Sequence, residues 1–159
     1  MQIWRAAALT SLLCAAAAPA YADLTAFIGV TTTPANRPVR GFAGGIALVV
    51  IGFEFEYADT AEDDEALAPS LRTGMGNLFV QTPFPVNGLQ FYATLGGGLY
   101  RERLATLQET HFGINAGGGV KISLAGPLRL RVDYRVFTLR GEPLERRPQR
   151  VYAGLNLSF

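Results

Sequence analysis

Cysteine and tryptophan are almost missing from this sequence. Each occurs once, as Cys14 and Trp4, and histidine is as scarce, with His111 its single instance. A disulfide framework needs cysteine pairs, and a zinc site built from Cys and His needs several ligands at short spacing; both are excluded, and no cofactor is expected. Charge of either sign is not in surplus: 14 Lys and Arg stand against 13 Asp and Glu, a formal net of +1. A nucleic-acid partner would need a basic excess, so none is expected. Beyond residue 22 no apolar run approaches the roughly 20 residues of a transmembrane helix, and no stretch sustains a helical period. A helical membrane protein is therefore excluded. A glycine-rich phosphate loop is excluded too, because it needs a helix to follow it.

The first 22 residues have the form of an export signal. Arg5 supplies the positive n-region, residues 6–18 form an apolar h-region, and Ala20-Tyr21-Ala22 is an A-x-A-type cleavage site. Pro19 interrupts the run before it could span a bilayer. The lipidation alternative at Cys14 fits poorly, because Leu13 is not the small residue expected before a lipidated cysteine. The expected organisation is a cleaved signal over 1–22 and a single domain over 23–159. Removing the signal takes Arg5 and no acid, so Lys plus Arg falls from 14 to 13 and the mature chain is formally neutral.

The remainder alternates with period two, the strand signal. Eight segments carry it: 24–32, 40–49, 51–59, 70–81, 89–102, 109–124, 128–139 and 150–159. In the seventh, Leu128, Leu130, Val132, Tyr134 and Val136 share one face and Arg129, Arg131, Asp133 and Arg135 the other. In the third, Phe53, Phe55 and Tyr57 alternate with Glu54 and Glu56. The sixth sets Ile114, Val120 and Ile122 against Asn115 and Lys121, and the eighth sets Val151, Leu155 and Leu157 against Arg150, Tyr152 and Asn156. Connections alternate between tight turns and longer loops, which puts both termini on the tight-turn side.

Alternation alone fits either a soluble barrel with an apolar interior or a membrane barrel with an apolar exterior. Three features favour the second. The polar faces of segments three and seven carry complementary charge. The same faces of segments five and six are thinned by Gly96, Gly98, Gly113, Gly117 and Gly119, as a narrow, crowded interior requires. The third feature is the last strand, whose alternate apolar residues end in Phe159. That strand resembles the C-terminal strand of bacterial outer-membrane barrels, and the region 23–159 resembles the small barrels of the OmpA and OmpX type.

The resemblance implies an all-β, eight-stranded, antiparallel, up-and-down transmembrane barrel in the outer membrane, monomeric and in contact with outer-membrane lipid and lipopolysaccharide. It implies that the barrel-assembly machinery reads Leu155, Leu157 and Phe159. The globular peptidoglycan-binding domain that some OmpA relatives carry after the barrel is not expected here. The lumen is expected to hold a charge network of Glu54, Glu56, Lys121, Arg129, Arg131, Asp133 and Arg135. Charges taken out of water must be paired, and eight strands enclose a space that side chains fill, so a packed polar core is expected rather than an ion path.

Three further features bear on function. Some barrels of this size modify lipid A or phospholipid with a histidine and a serine or carboxylate; His111, near the long-loop end, is the only candidate, with no serine beside it in sequence. The acidic run 59–65 lacks the ligand-and-glycine spacing of a calcium loop and reads as a solvated loop. The basic run 140–150 offers arginines for lipopolysaccharide phosphates. A non-catalytic envelope protein is the leading expectation; a lipid-modifying enzyme and a soluble periplasmic ligand-binding barrel are the rivals.

Overall fold

The computed structural model describes residues 20–104 and 107–159; the signal segment up to residue 19 lies outside the described residues. Eight antiparallel strands follow one another around a closed barrel: β1 (Ala20–Thr31), β2 (Arg37–Leu48), β3 (Ile51–Thr60), β4 (Ser70–Gln81), β5 (Leu89–Leu104), β6 (Leu107–Ala125), β7 (Leu128–Leu139) and β8 (Gln149–Ser158). Each strand pairs with the next, and β8 returns to β1, with Ala26 opposite Leu155 and Thr31 opposite Arg150. Closure leaves no free edge along the wall, which is the only way a sheet can cross hydrocarbon with its backbone groups paired. Strands of 10 to 12 residues in β2, β3, β4, β7 and β8 match the ~9–11 residues a tilted strand needs to span a bilayer.

The radial direction of the side chains decides between the two barrels that the alternation allows. Arg131 is 2% exposed, and Glu54, Glu56, Asp133, Arg135 and Arg150 are equally enclosed. Apolar side chains face out, Phe53, Phe55 and Leu155 on the same strands and Ile46, Leu78 and Leu95 on β2, β4 and β5, with Leu155 55% exposed. Phe53, Phe55 and Val132 would have to line the interior of a soluble ligand-binding barrel, and they do not. Outward aromatic side chains stand near both rims, Tyr57, Phe112 and Tyr134 toward the long loops and Tyr21, Phe84, Phe91 and Phe159 toward the tight turns, with Phe42, Phe53 and Phe55 on the wall between them; the rim groups resemble the girdles of membrane barrels.

Inside, small residues make room for large ones. A methyl group on Gly117 would press on the Arg135 side chain, and one on Gly119 would meet the Tyr92 hydroxyl at 2.6 Å. The long-loop end of the lumen is filled by Leu71, Met75, Tyr100, Phe137 and Leu139. Phe27 stacks on Tyr152 (centroids 4.0 Å, 17°) beside Val39 and Ala58.

Strand limits depart from expectation in β1, β2, β5 and β6. β2 begins at Arg37, so Pro38 lies within a strand; it points outward and its carbonyl accepts the Ala61 N–H at 3.0 Å. β1 begins at Ala20, three residues before the expected mature N-terminus, and Ala22 exchanges backbone hydrogen bonds with Phe159 at 2.8 and 2.9 Å. β5 and β6 run to 16 and 19 residues, and β6 pairs with β7 only from Gly113 onward, so this hairpin stands above the rest of the rim.

The two-residue turn between β2 and β3 places Val49 at φ 42°. A β-branched residue in this region is sterically strained by about 1–2 kcal/mol. Replacing Val49 with glycine is expected to stabilise the barrel by about 1 kcal/mol, read as a raised midpoint in urea unfolding from lipid vesicles. Leu95, 64% exposed on the outer wall, provides the opposite test: Leu95→Arg should cost about 2–4 kcal/mol in lipid, whereas a barrel whose outer wall meets water would tolerate it.

Candidate functional site

The strongest concentration of chemistry in the chain is the lumen. β3 supplies Glu54 and Glu56, β7 supplies Arg131, Asp133 and Arg135, and period-two geometry turns all five to the inside. Arg131 grips Glu54 through both terminal nitrogens, Nη2 at 3.1 Å and Nη1 in a shorter contact, and reaches Asp133 at 3.2 Å. Arg135 donates to Asp133 at 2.9 Å and to Glu54 at 3.0 Å, and pairs with Glu56 at 3.0 Å. Tyr92 accepts from Arg131 Nε at 2.7 Å and donates to Asp133 in a short bond. The Arg131 guanidinium also lies 4.7 Å from the Tyr92 ring centre, a cation–π arrangement.

The network has two members beyond the expected set. Arg150 belongs both to the basic run 140–150 and to the polar face of the eighth segment, and the second placement holds: it sits fully enclosed at the start of β8, pairing with Glu56 at 3.0 Å, donating to Thr73 at 3.2 Å and lying 4.6 Å from the Phe137 ring centre. Asp23 was not singled out, yet its carboxylate holds the Lys121 ammonium at 2.5 Å near the tight-turn end. Asp23 and Lys121 are 98 residues apart and share a face only once the barrel is closed. With these two, the enclosed ion pairs among the described residues involve four acids (Asp23, Glu54, Glu56, Asp133) and four bases (Lys121, Arg131, Arg135, Arg150).

Arg129, also expected in the network, is not brought into it. It is half-buried at the tight-turn mouth and donates to Gln90 at 3.0 Å and Ser158 at 2.9 Å, both neutral acceptors. At the other mouth Arg37 donates to the carbonyls of Pro69 and Thr33, and Glu102 accepts the Leu144 N–H at 3.2 Å. These bonds draw three outer loops inward over the lumen.

The remaining candidates separate by position. His111 lies at the outer rim with Nε2 3.3 Å from Glu109 and the ring beside Tyr100 (centroids 6.3 Å). The three serines among the described residues are elsewhere: Ser70 faces outward and donates to the Arg103 carbonyl, while Ser123 and Ser158 belong to the tight-turn ends of β6 and β8. Asp59, first in the acidic run 59–65, is a strand residue facing outward and bonded to Arg72 at 3.1 Å. Among the described residues no group of three or more His, Cys, Asp or Glu side chains is placed to hold a metal ion. Leu155, Leu157 and Phe159 all point away from the barrel, the two leucines against Leu130 and Leu128 of β7.

Removing one centre of the network leaves several charges without compensation. Arg135→Met is expected to destabilise the barrel by about 3–5 kcal/mol. Adding Asp133→Leu should recover part of that loss, giving a coupling energy of about 1–3 kcal/mol in a double-mutant cycle of unfolding free energies. Additive costs would mean that the pair is not coupled.

No protein-family model and no curated protein matches the sequence. Solved structures do match the fold. The chain is similar to the N-terminal β-barrel domain of Pseudomonas aeruginosa OprF, with 15% identity, a TM-score of 0.65, and coverage of 87% of this chain and 97% of that one. Neisserial surface protein A gives 15% identity and a TM-score of 0.66 over 88% and 96% of the two chains. The outer membrane enzyme PagL gives 11% identity and a TM-score of 0.52 over 85% and 98%. Matched over nearly their whole length, these structures define the architecture: the chain has the closed eight-stranded fold of the small outer-membrane barrels.

Proposed function

We propose that this chain is an integral outer-membrane barrel with a packed, charge-filled lumen, non-catalytic, and that it serves envelope structure or surface interaction. The observation that carries the reading is the inverted radial polarity: four acids and four bases enclosed in ion pairs, with leucine, isoleucine and phenylalanine outside. Water as the outer solvent would penalise that arrangement on both faces, and hydrocarbon favours it. The shared fold with OprF and Neisserial surface protein A supports the outer membrane as the location.

Export through a signal over 1–22 and recognition of Leu155, Leu157 and Phe159 by the barrel-assembly machinery belong to the same proposal. The outward projection of those three side chains keeps them accessible before the barrel meets lipid. Surface contact falls to the raised β5–β6 hairpin, whose β6 segment before Gly113 has no β7 partner.

PagL shows that an enzyme can be built on this fold. The outward face of Ser70 and the distant positions of Ser123 and Ser158 speak against a His111–serine pair here. A heat-modifiability gel of outer-membrane fractions tests the location: the unboiled barrel should migrate differently from the boiled chain, and identical migration together with periplasmic solubility would overturn it. In the same preparations a His111→Ala variant should leave the lipid A and phospholipid profiles unchanged; an altered profile would replace the non-catalytic reading.

A further inference from the structure

The outer wall carries an arrangement of like charge that the barrel itself does not require. Arg72 of β4 and Arg101 of β5 are direct cross-strand partners, and both point outward. Like charges directly opposite on one face of an antiparallel pair are destabilising. The next outward register pair, Ser70 with Arg103, adds a third guanidinium, and Gln108 of β6, opposite Arg103, closes the group around a small open notch. Two acids approach these arginines: Asp59 bonds Arg72 at 3.1 Å, and Glu62 lies 4.0 Å from Arg103. Arg40 faces Asp59 from the other side in β2. Four outward arginines therefore meet two carboxylates, and Arg101 spends its Nε on a neutral acceptor, the Thr110 hydroxyl at 3.1 Å. The cluster has positive charge to spare for an anion.

Directly against it the wall is hollow. Arg72, Arg101 and Thr110 also form the upper end of an apolar groove of about 550 Å³, flanked by Phe55, Tyr57 and Leu99. The hollow exists because β4 presents Gly74 and Gly76 outward, opposite Leu99 and Gly97 of β5. A Cβ on Gly74 would meet nothing nearer than the Phe55 ring edge at 4.0 Å. Polar cluster and apolar groove are thus continuous, on the wall that faces lipid, with the arginines on the long-loop side.

We propose that the β4–β5 wall binds a phosphate-bearing lipid of the outer leaflet, with the phosphate held by Arg72, Arg101 and Arg103 and an acyl chain laid in the groove over Gly74. Guanidinium forks suit phosphate oxygens, and an anion between Arg72 and Arg101 relieves their repulsion. A free anion would use the notch and leave the groove empty; the continuity of the two selects an amphiphile. This inference rests on the membrane reading above.

Wild-type barrel in detergent is titrated with lipid A, with lipid A stripped of its phosphates, and with inorganic phosphate, and retention is read by native mass spectrometry. Lipid A is expected to bind, and the stripped lipid to bind roughly 10-fold to 100-fold more weakly. A double Arg72→Gln, Arg101→Gln variant should lose binding to a similar degree. Gly74→Leu, whose Cβ has room, puts a side chain into the groove and should weaken lipid A while leaving the arginines in place. Equal retention of lipid A by wild type and the arginine variant, or saturation by inorganic phosphate that displaces lipid A completely, would overturn the proposal. Each sample is also run boiled and unboiled: a heat-shifted barrel that shows no phosphate preference sinks the lipid site alone, whereas loss of the heat shift in wild type sinks the membrane reading beneath it.

Discussion

A backbone amide or carbonyl inside hydrocarbon has no water to turn to, and under the membrane reading proposed above this constraint governs the rest of the molecule. A sheet can meet it only by closing, so the pairing of β8 with β1 is what permits the other strands to stand in lipid. Closure at eight strands fixes a narrow interior, and a narrow interior must be filled. Because the outer face is apolar, the alternate face is left with the polar residues, and these must satisfy one another. The ion pairs of the lumen follow from closure, and so do the glycines that give Arg135 and Tyr92 their space.

Much of this was legible in the alternation of the chain. The limits of β4 and β7 match the expected segments, because turn-forming residues bound both and, in β7, the alternation runs unbroken between them. The direction of Arg131 and Leu130 was readable as a pair of alternatives, and the charge complementarity of β3 and β7 chose between them. Strand ends were less legible where the pattern continues past the expected limit, as in β6, whose hairpin rises above its neighbours.

Partnership was the part that the alternation did not carry. Arg150 follows a run of loop arginines and differs from them only in having crossed into β8. Asp23 gained significance from a lysine 98 residues away, a relation set by the circumference of the barrel rather than by any local spacing. Arg129 shows the converse: it has the parity of a network residue but stands too close to the mouth to meet a carboxylate. The outward arginines of β4 and β5 become one cluster only through register, which depends on turn lengths more than on the composition of either strand.

The lumen also imposes an order on construction. Its acids Glu54 and Glu56 lie on β3, while their arginines come from β7 and β8, at separations of 77 to 94 residues. Contacts of such high sequence separation form late. Until β7 and β8 are in place, the carboxylates of β3 therefore lack their lumen partners. An incomplete barrel that lacked β8 would enclose Glu56 without Arg150 as well as exposing two open edges, so charge and hydrogen bonding penalise it together. The electrostatics of the interior thereby act as a check on completeness, rewarding the finished ring over every truncated intermediate.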